Sequence, residues 1–409
     1  MRWMSLPVLL GLTLLLRLLW VAVIPVSLVS DSGAYDTFAQ NIALHGVYGW
    51  TPDRPGAYWA VGASAIYAGA YLVFGVGPLG VVIVNLIASL LIAWSLWDLG
   101  RRWFGEDAGR WAVVVFAIWP LTIQYVTVLA SELHFMALTG LALMAWDRWR
   151  EGAGAARWGF LLVAGLMLAG ATYLRPIALL IPAALAIATT LHCPRRALAS
   201  WGAAAVATAV IFAAVAPWSA RNEEVFGEPV FMSTNFGANF WMGNHPGTTG
   251  EYAPLPDEIA GMSEIERNAY LKDAAFGYVK EAPGAFVGRT ILKAFRLHQR
   301  ETIGVVWNEA ALEELGGGPL VMVLKAGSTG YWYLMLVAGL AGVVLLVRRG
   351  GMIAGLVATP VWLWLYFTAV HAVIVVGDRY HMPAIPMIAL LAGVALATLT
   401  ARRAEAPQD

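Results

Sequence analysis

The stretch Leu6 to Leu28, LPVLLGLTLLLRLLWVAVIPVSL, followed at once by Val29-Ser30-Asp31-Ser32-Gly33-Ala34-Tyr35, decides how this chain is read. The apolar run is too long for the roughly 7 to 15 residues of a cleaved signal core and matches the roughly 17 to 25 residues that cross a bilayer. It predicts a retained span that delivers Asp31 to the far surface. The rest of the chain repeats the theme: 59% of its 409 residues are hydrophobic and only 13% charged, half the charge share of a soluble protein. Further spans are expected near 79–99, 111–129, 131–147, 158–173, 177–191, 199–216, 329–347, 352–376 and 381–399, giving an all-α polytopic membrane protein with about ten spans. Equal numbers of basic and acidic residues, 26 each, give no reason to expect a nucleic-acid partner, and the single Cys193 excludes an internal disulfide.

Orientation follows from the short loops. Arg101, Arg102 and Arg110, then Arg148, Arg150 and Arg157, Arg195 and Arg196, Arg348 and Arg349, and Arg402 and Arg403 all fall on one side. The positive-inside rule makes that side cytoplasmic. The remaining apolar segment, residues 58–74, is fixed by parity. A crossing there would put the acid-rich loop of Asp31, Asp36 and Asp53 in the cytoplasm, so 58–74 is expected to lie in the interface or re-enter. The predicted organisation is a membrane module, 1–216, with an outer juxtamembrane loop at 29–78, then an outer loop region with amphipathic helices, 217–328, and carboxyl-terminal spans, 329–409.

The outer segments hold the candidate chemistry. Ser30-Asp31-Ser32 with Tyr35, Phe38, Ala39 and Ile42 before Gly46 predicts a capped amphipathic helix. Asn222, Asn239, Trp241 and Asn244 belong to a loop rich in amides, glycine and aromatics. Amides bond hydroxyls and aromatic faces stack on sugar rings, although Asn and Gly also serve as turn residues. Ser263 and Glu266 form a predicted capping box, and from Pro283 onward Arg289, Lys293, Arg296 and Arg300 alternate with apolar residues, a pattern expected at a headgroup surface. Glu132, Arg175 and Asp378-Arg379-Tyr380 lie in three tight outer turns on the same side as Asp31. Each alone could cap a helix or snorkel to lipid. Together they predict one outer crevice for an anionic, lipid-linked substrate. Arg17, midway along the first span, has no partner legible in the sequence.

With these residues in place, the chain resembles a GT-C glycosyltransferase, similar to bacterial members of the protein O-mannosyltransferase and aminoarabinose-transferase group. The resemblance rests on Asp31-Ser32-Gly33-Ala34-Tyr35, Asp53-Arg54-Pro55, Ser131-Glu132, Leu174-Arg175-Pro176, Pro217-Trp218-Ser219-Ala220-Arg221-Asn222, Asn239-Phe240-Trp241-Met242-Gly243-Asn244 and Asp378-Arg379-Tyr380-His381-Met382-Pro383. It implies a polyprenyl-phosphate-sugar donor, an unidentified hydroxyl acceptor, a bacterial inner-membrane location and an active site on the periplasmic face. It also implies that Asp31 is the general base, with Glu132 a second catalytic acid. Phosphate would be held by Arg54, Arg175 and Arg379, with Arg221 in reserve, and sugar or acceptor by Tyr35, Asn222, Asn239, Trp241, Asn244 and Tyr380. A divalent cation, if used, would sit among Asp53, Glu132 and His134. Two departures matter. Asp31 is followed by Ser where protein mannosyltransferases carry paired acids, and the sequence ends soon after the last span, which leaves the acceptor class open. A transporter or flippase of polyprenyl-linked sugars is the alternative, though such proteins place their charges at midplane on repeated halves. A non-catalytic scaffold would explain the helices but not the Asn- and Trp-rich outer loop.

Overall fold

The computed structural model describes residues 4–405; Arg2 and the side chains of Arg402 and Arg403, counted above among the charges, lie outside the described part. Helix α1 (Leu6–Val23) leads to α2 (Asp31–His45), a two-stranded hairpin of β1 (Gly49–Thr51) and β2 (Arg54–Pro55), and α3 (Gly62–Phe74). Next come α4 (Pro78–Phe104), α5 (Glu106–Ala117), the short α6 (Pro120–Gln124), α7 (Glu132–Glu151), α8 (Ala156–Leu174), α9 (Ile181–His192) and α10 (Ala197–Phe226). The outer segment contributes α11 (Phe236–Asn244), α12 (Glu264–Glu281), α13 (Pro283–Arg296) and α14 (Ile303–Val306). Finally α15 (Glu309–Gly350), α16 (Met352–Leu356), α17 (Thr359–Val373) and α18 (Ile385–Glu405) return to the bundle.

Among the described residues, six helices are long and apolar enough to cross a membrane, and seven if the pair Glu106–Ala117 and Pro120–Thr127, bent by 58°, is one span. The expected ten therefore divide into full-length spans and shorter or broken pieces. Pro176–His192 is a short apolar helix, and the expected span at 352–376 is split into α16 and α17. The 15 residues of α17 rise about 22 Å, less than the roughly 30 Å of a hydrocarbon core. Within residues 58–74, α3 has 13 residues, too short for a full crossing, buries Ala63, Tyr67 and Tyr71, and exposes Leu72 and Val73. The boundary placed at 216/217 falls inside α10, which continues through Pro217 to Phe226.

The core is a bundle in which α18 is enclosed by α4, α5 and α15, and α7 packs between α4 and α8. Lipid-embedded helices gain little from hydrophobic burial and rely on close packing. Gly100 of α4 lies against Gly109 of α5, and Gly393 of α18 against the Ala108 carbonyl; a Cβ at either would strike backbone. At one end of the bundle, buried Asp98 of α4 receives Arg101 at 2.8 Å and Arg148 of α7 at 2.9 Å, while Arg102 pairs with Asp147 at 3.0 Å. These arginines belong to the clusters that set orientation.

The structure supplies the missing partner for Arg17. Fully buried, its guanidinium donates to the Ala117 carbonyl at 3.3 Å, the Thr13 carbonyl at 3.2 Å and the Thr122 hydroxyl at 2.9 Å, and it lies over the Phe116 ring. The break between α5 and α6 leaves the Ala117 carbonyl without a helical partner, and the arginine satisfies it. That use offsets the roughly 2.5 to 3.5 kcal/mol that a charge at mid-span costs.

Candidate active site

The site is assembled at the end of the bundle opposite the Asp98 cluster, and its backbone is held by buried polar groups. Between Tyr125–Thr127 and α7 the chain runs extended through Val128 and Leu129, with peptide groups that need partners in a water-poor interior. Asn85 of α4 donates to the carbonyls of Val126 and Val128, both at 3.0 Å. The Tyr67 hydroxyl of α3 accepts the Ala130 N–H at 2.9 Å and lies 3.0 Å from the Ala130 carbonyl. Ser131 and Glu132 are thereby fixed at the start of α7.

Glu132, only 1% exposed, accepts from the Arg175 guanidinium, and Arg175 Nε also donates to Ser131 Oγ at 3.0 Å. Arg379 Nε is 4.0 Å from the same Glu132 oxygen, and its other end is paired with Asp31. Two acids and two arginines from four separated stretches thus form one chain: Asp31, Arg379, Glu132, Arg175. Burial alone would lower the Arg379 guanidinium, but Asp31, Tyr380 and Glu132 outweigh it and hold it firmly charged. The cation also lies 4.9 Å from the centre of the Trp307 ring and 5.4 Å from that of Tyr380.

Asp31 was expected to compete with a capping role. It does not cap: no side-chain cap bond closes α2, and Ser30, at φ 52°, is the one non-glycine residue with positive φ among those described. The turn is tied instead by Ser32 Oγ, which accepts the Val29 N–H at 2.7 Å. A backbone in that sparsely populated region needs a reason, and here it turns the first carboxylate of α2 toward Arg379.

These residues border a cavity of about 590 Å³. Asp31, Tyr35, Arg175, Asn239, Arg379 and Tyr380 of the predicted set line it. Burial first, then the Asp31 charge, pushes the Tyr35 phenol well above its usual value, so it stays a neutral donor. Several predicted residues lie elsewhere. Glu132 is behind Arg175 rather than at the cavity wall. Arg54 is exposed on the hairpin and is not brought to the cavity. Arg221 is engaged in structure, donating to the carbonyls of Gly56 at 2.8 Å and Tyr48 at 3.2 Å, which fastens the hairpin to α10; its neighbour Asn222 is fully buried and donates to the Val230 carbonyl.

Asn244 is buried and caps the end of α17 through the carbonyls of Val373 and Ile374 at 3.1 and 3.2 Å. Helix ends leave such carbonyls free, and an amide NH2 fits them. The Lys293 ammonium joins it on those two carbonyls and on Asn244 Oδ1. Burial, then Arg289, lowers Lys293 to about 8. Trp241 stacks on His245 at 4.2 Å, away from the cavity wall.

The suggested metal set is dispersed. Asp53 is exposed at the hairpin, where a hydrogen bond with Thr51 lowers its carboxyl; Glu132 is taken by Arg175; His134 packs edge-on against Tyr67. Among the described residues no group of three His, Cys, Asp or Glu side chains is placed to hold a metal ion.

The sequence did not single out Tyr58, Trp59, Asn235, Tyr252 or His371 as lining residues, nor Trp307 beneath Arg379. Only the Tyr58-Trp59 pair ahead of α3 carried a signal, since adjacent aromatics in an outer loop suit ring stacking. A further buried cluster was also unforeseen. Glu301 accepts from Trp119 Nε1 at 3.0 and 3.1 Å and meets His381 Nε2 at 3.2 Å, while His381 Nδ1 lies 3.1 Å from the Leu297 carbonyl. Burial raises the Glu301 carboxyl well above its usual value; burial also lowers His381 to about 4, against the opposing pull of Asp378. The consistent state is neutral: His381 Nδ1–H donates to Leu297, and the Glu301 acid proton to Nε2. A carboxyl raised in the folded state binds more protons there than in the unfolded chain, so stability falls as pH rises through the interval above about 4.3, the model-peptide value. Glu301→Gln keeps the bonding of the neutral acid without titrating, so it should match wild type near pH 4, flatten that slope and be the more stable of the two at pH 7. Glu301→Ala orphans the Trp119 and His381 groups and should cost about 2–4 kcal/mol. Thermal unfolding of the three proteins at several pH values checks this, and an alanine variant as stable as wild type would contradict it.

Residues 55–220 match the dolichyl-phosphate-mannose-protein mannosyltransferase family, a range that includes Glu132 and Arg175 but not Asp31 or Arg379. No curated protein sequence matches the chain. Among solved structures, 96% of the chain aligns with 78% of ArnT from Cupriavidus metallidurans bound to undecaprenyl phosphate, at TM-score 0.52 and 14% identity. It also aligns over 96% of its length with the oligosaccharyltransferase AglB from Archaeoglobus fulgidus in complex with an inhibitory peptide and a dolichol-phosphate, at TM-score 0.51 and 13% identity, spanning half of that longer protein. The chain is a membrane glycosyltransferase with the GT-C fold that ArnT and AglB share, and its residues 55–220 match the dolichyl-phosphate-mannose-protein mannosyltransferase family.

Proposed function

We propose that the protein transfers a sugar from a polyprenyl-phosphate donor to an acceptor hydroxyl in the cavity beside α2, on the face opposite the arginine-rich loops. The observation that carries this reading is the linked series Asp31, Arg379, Glu132, Arg175, in which Asp31, Arg379 and Arg175 line the cavity and Glu132 stands behind them. The presence of undecaprenyl phosphate in ArnT and dolichol-phosphate in AglB supports the donor class. The positive-inside reading supports turning this face away from the cytoplasm, and the family resemblance extends that to a bacterial inner membrane with the face toward the periplasm.

The leaving group is a phosphate monoester, so its departure needs charge stabilisation rather than a proton. Arg379 and Arg175 line the cavity and supply guanidinium forks suited to phosphate oxygens. The acceptor O–H is the weaker partner. Its oxygen bonds to the anomeric carbon, its proton passes to the Asp31 carboxylate, and the electron pair of the breaking C–O bond stays on polyprenyl phosphate. A single displacement inverts the anomeric centre. Before the donor arrives, Asp31 is neutralised by Arg379. Glu132, buried behind the wall, acts as a positioning residue that holds Arg175. Tyr35, Asn239 and Tyr380, with Tyr58 and Trp59, are placed to bond and stack on sugar or acceptor.

The direct test mixes purified protein in detergent with labelled polyprenyl-phosphate sugars and a panel of lipid, glycan and peptide hydroxyl acceptors. Labelled product without any membrane gradient is expected. Donor bound but never consumed, with transport appearing only in sealed vesicles, would overturn the reading in favour of a flippase.

A further inference from the structure

A second cavity, of about 600 Å³, lies at the other end of the bundle. It is bordered by the last turns of α4, α7 and α9 and by the α16–α17 junction, the ends that carry the arginine clusters. Along α7, eighteen residues separate Glu132 from Arg150, so about 27 Å separates this cavity from the acid and arginine chain. It is no extension of the proposed transfer site.

Its lining divides by chemistry. Leu143, Trp146, Leu185 and Val357 give an apolar wall, whereas Arg150, His192 and Arg196 are exposed. The one acid in the lining, Asp147, is already paired with Arg102 at 3.0 Å. Among the described ion pairs neither Arg150 nor Arg196 has an acidic partner. Two arginines free of acids, over an apolar pocket large enough for a headgroup and the first methylenes of a chain, match an amphiphile with an anionic head. Arginines that merely snorkel need no cavity beside them.

We propose that this cavity is a binding site for an anionic phospholipid of the leaflet opposite the transfer site, its phosphate held by Arg150 and Arg196 and its first chain segment against Leu143, Trp146 and Leu185. Cys193 also lines the cavity, is half-buried, and is the only cysteine in the sequence, so it is a native reporter of occupancy.

The test uses the full chain purified in neutral detergent. Phosphatidylglycerol or phosphatidylcholine is titrated in, binding is read by native mass spectrometry, and Cys193 is alkylated with a maleimide under the same conditions. Phosphatidylglycerol, which lacks the choline cation that the two arginines would repel, is expected to bind about tenfold more tightly than phosphatidylcholine, and to slow Cys193 alkylation in proportion to occupancy. Arg150→Gln/Arg196→Gln should lose both the preference and the protection while keeping wild-type sugar transfer in neutral detergent. Equal binding of the two lipids, or binding unchanged in the double variant, overturns the proposal. So does lipid binding that leaves alkylation unaffected, which places it elsewhere, and so does Cys193 that fails to react without lipid, which means the cavity is closed. Inorganic phosphate protecting Cys193 as well as the lipid does would reduce the site to a free-anion site and overturn the lipid assignment.

Discussion

Replacing Asp31 by asparagine is expected to lower kcat for sugar transfer by about 10²- to 10⁴-fold, the usual contribution of a positioned general base. The side chain keeps its size and its place at the start of α2, and it makes no capping bond whose loss could unfold the helix. What disappears is the acceptor of the hydroxyl proton. The same change releases Arg379 from its ion pair, so donor affinity should hold or improve. A large fall in kcat with an unchanged or lower donor KM is therefore the signature. If Asp31 served only to orient Arg379, its loss would instead raise donor KM. Transfer within tenfold of wild type would remove the assigned base.

The second large effect concerns the two arginines, which should separate from each other. Arg379 and Asp31 are both about one-fifth exposed, against 12% and 1% for Arg175 and Glu132, so Arg379→Ala should cost less stability than Arg175→Ala. It removes one charge-assisted contact to phosphate, worth roughly 1.5–3 kcal/mol, and should raise donor KM about 10- to 150-fold with acceptor preference unchanged. Arg175→Ala should weaken donor binding similarly, but it also strands Glu132, which is 1% exposed, and breaking a buried pair from one side costs about 3–5 kcal/mol. Arg175→Ala combined with Glu132→Gln removes the stranded charge and should recover most of that stability without recovering donor affinity. Titration with the donor and thermal unfolding distinguish the two losses. Recovery of donor binding in the double variant would show that Arg175 acts only on folding.

The family resemblance was carried by residues close enough in sequence to be read as motifs, and the fold bears it out. Asp31, Arg175 and Arg379 converge because each sits at the outer end of an apolar run, a position that charge scarcity and loop parity specify. Arg221, Asn222 and Asn244 belong to the same kind of outer motif yet serve the backbone. Hydrogen-bonding capacity is identical in a ligand-binding amide and in one that closes a broken helix. Only the location of the orphaned carbonyls of Gly56, Val230, Val373 and Ile374 tells them apart.

Hydropathy and the one-sided arginines determined that the chain is a helical membrane protein, because an apolar run in water and a guanidinium in lipid are both too costly to be misplaced. Tertiary structure decided how many of those runs reach full length, that Arg17 serves a kink, and that Glu132 stands behind Arg175 rather than at the cavity. Those outcomes depend on which buried polar groups meet across distant helices, and desolvation penalties are settled by such pairwise geometry rather than by composition.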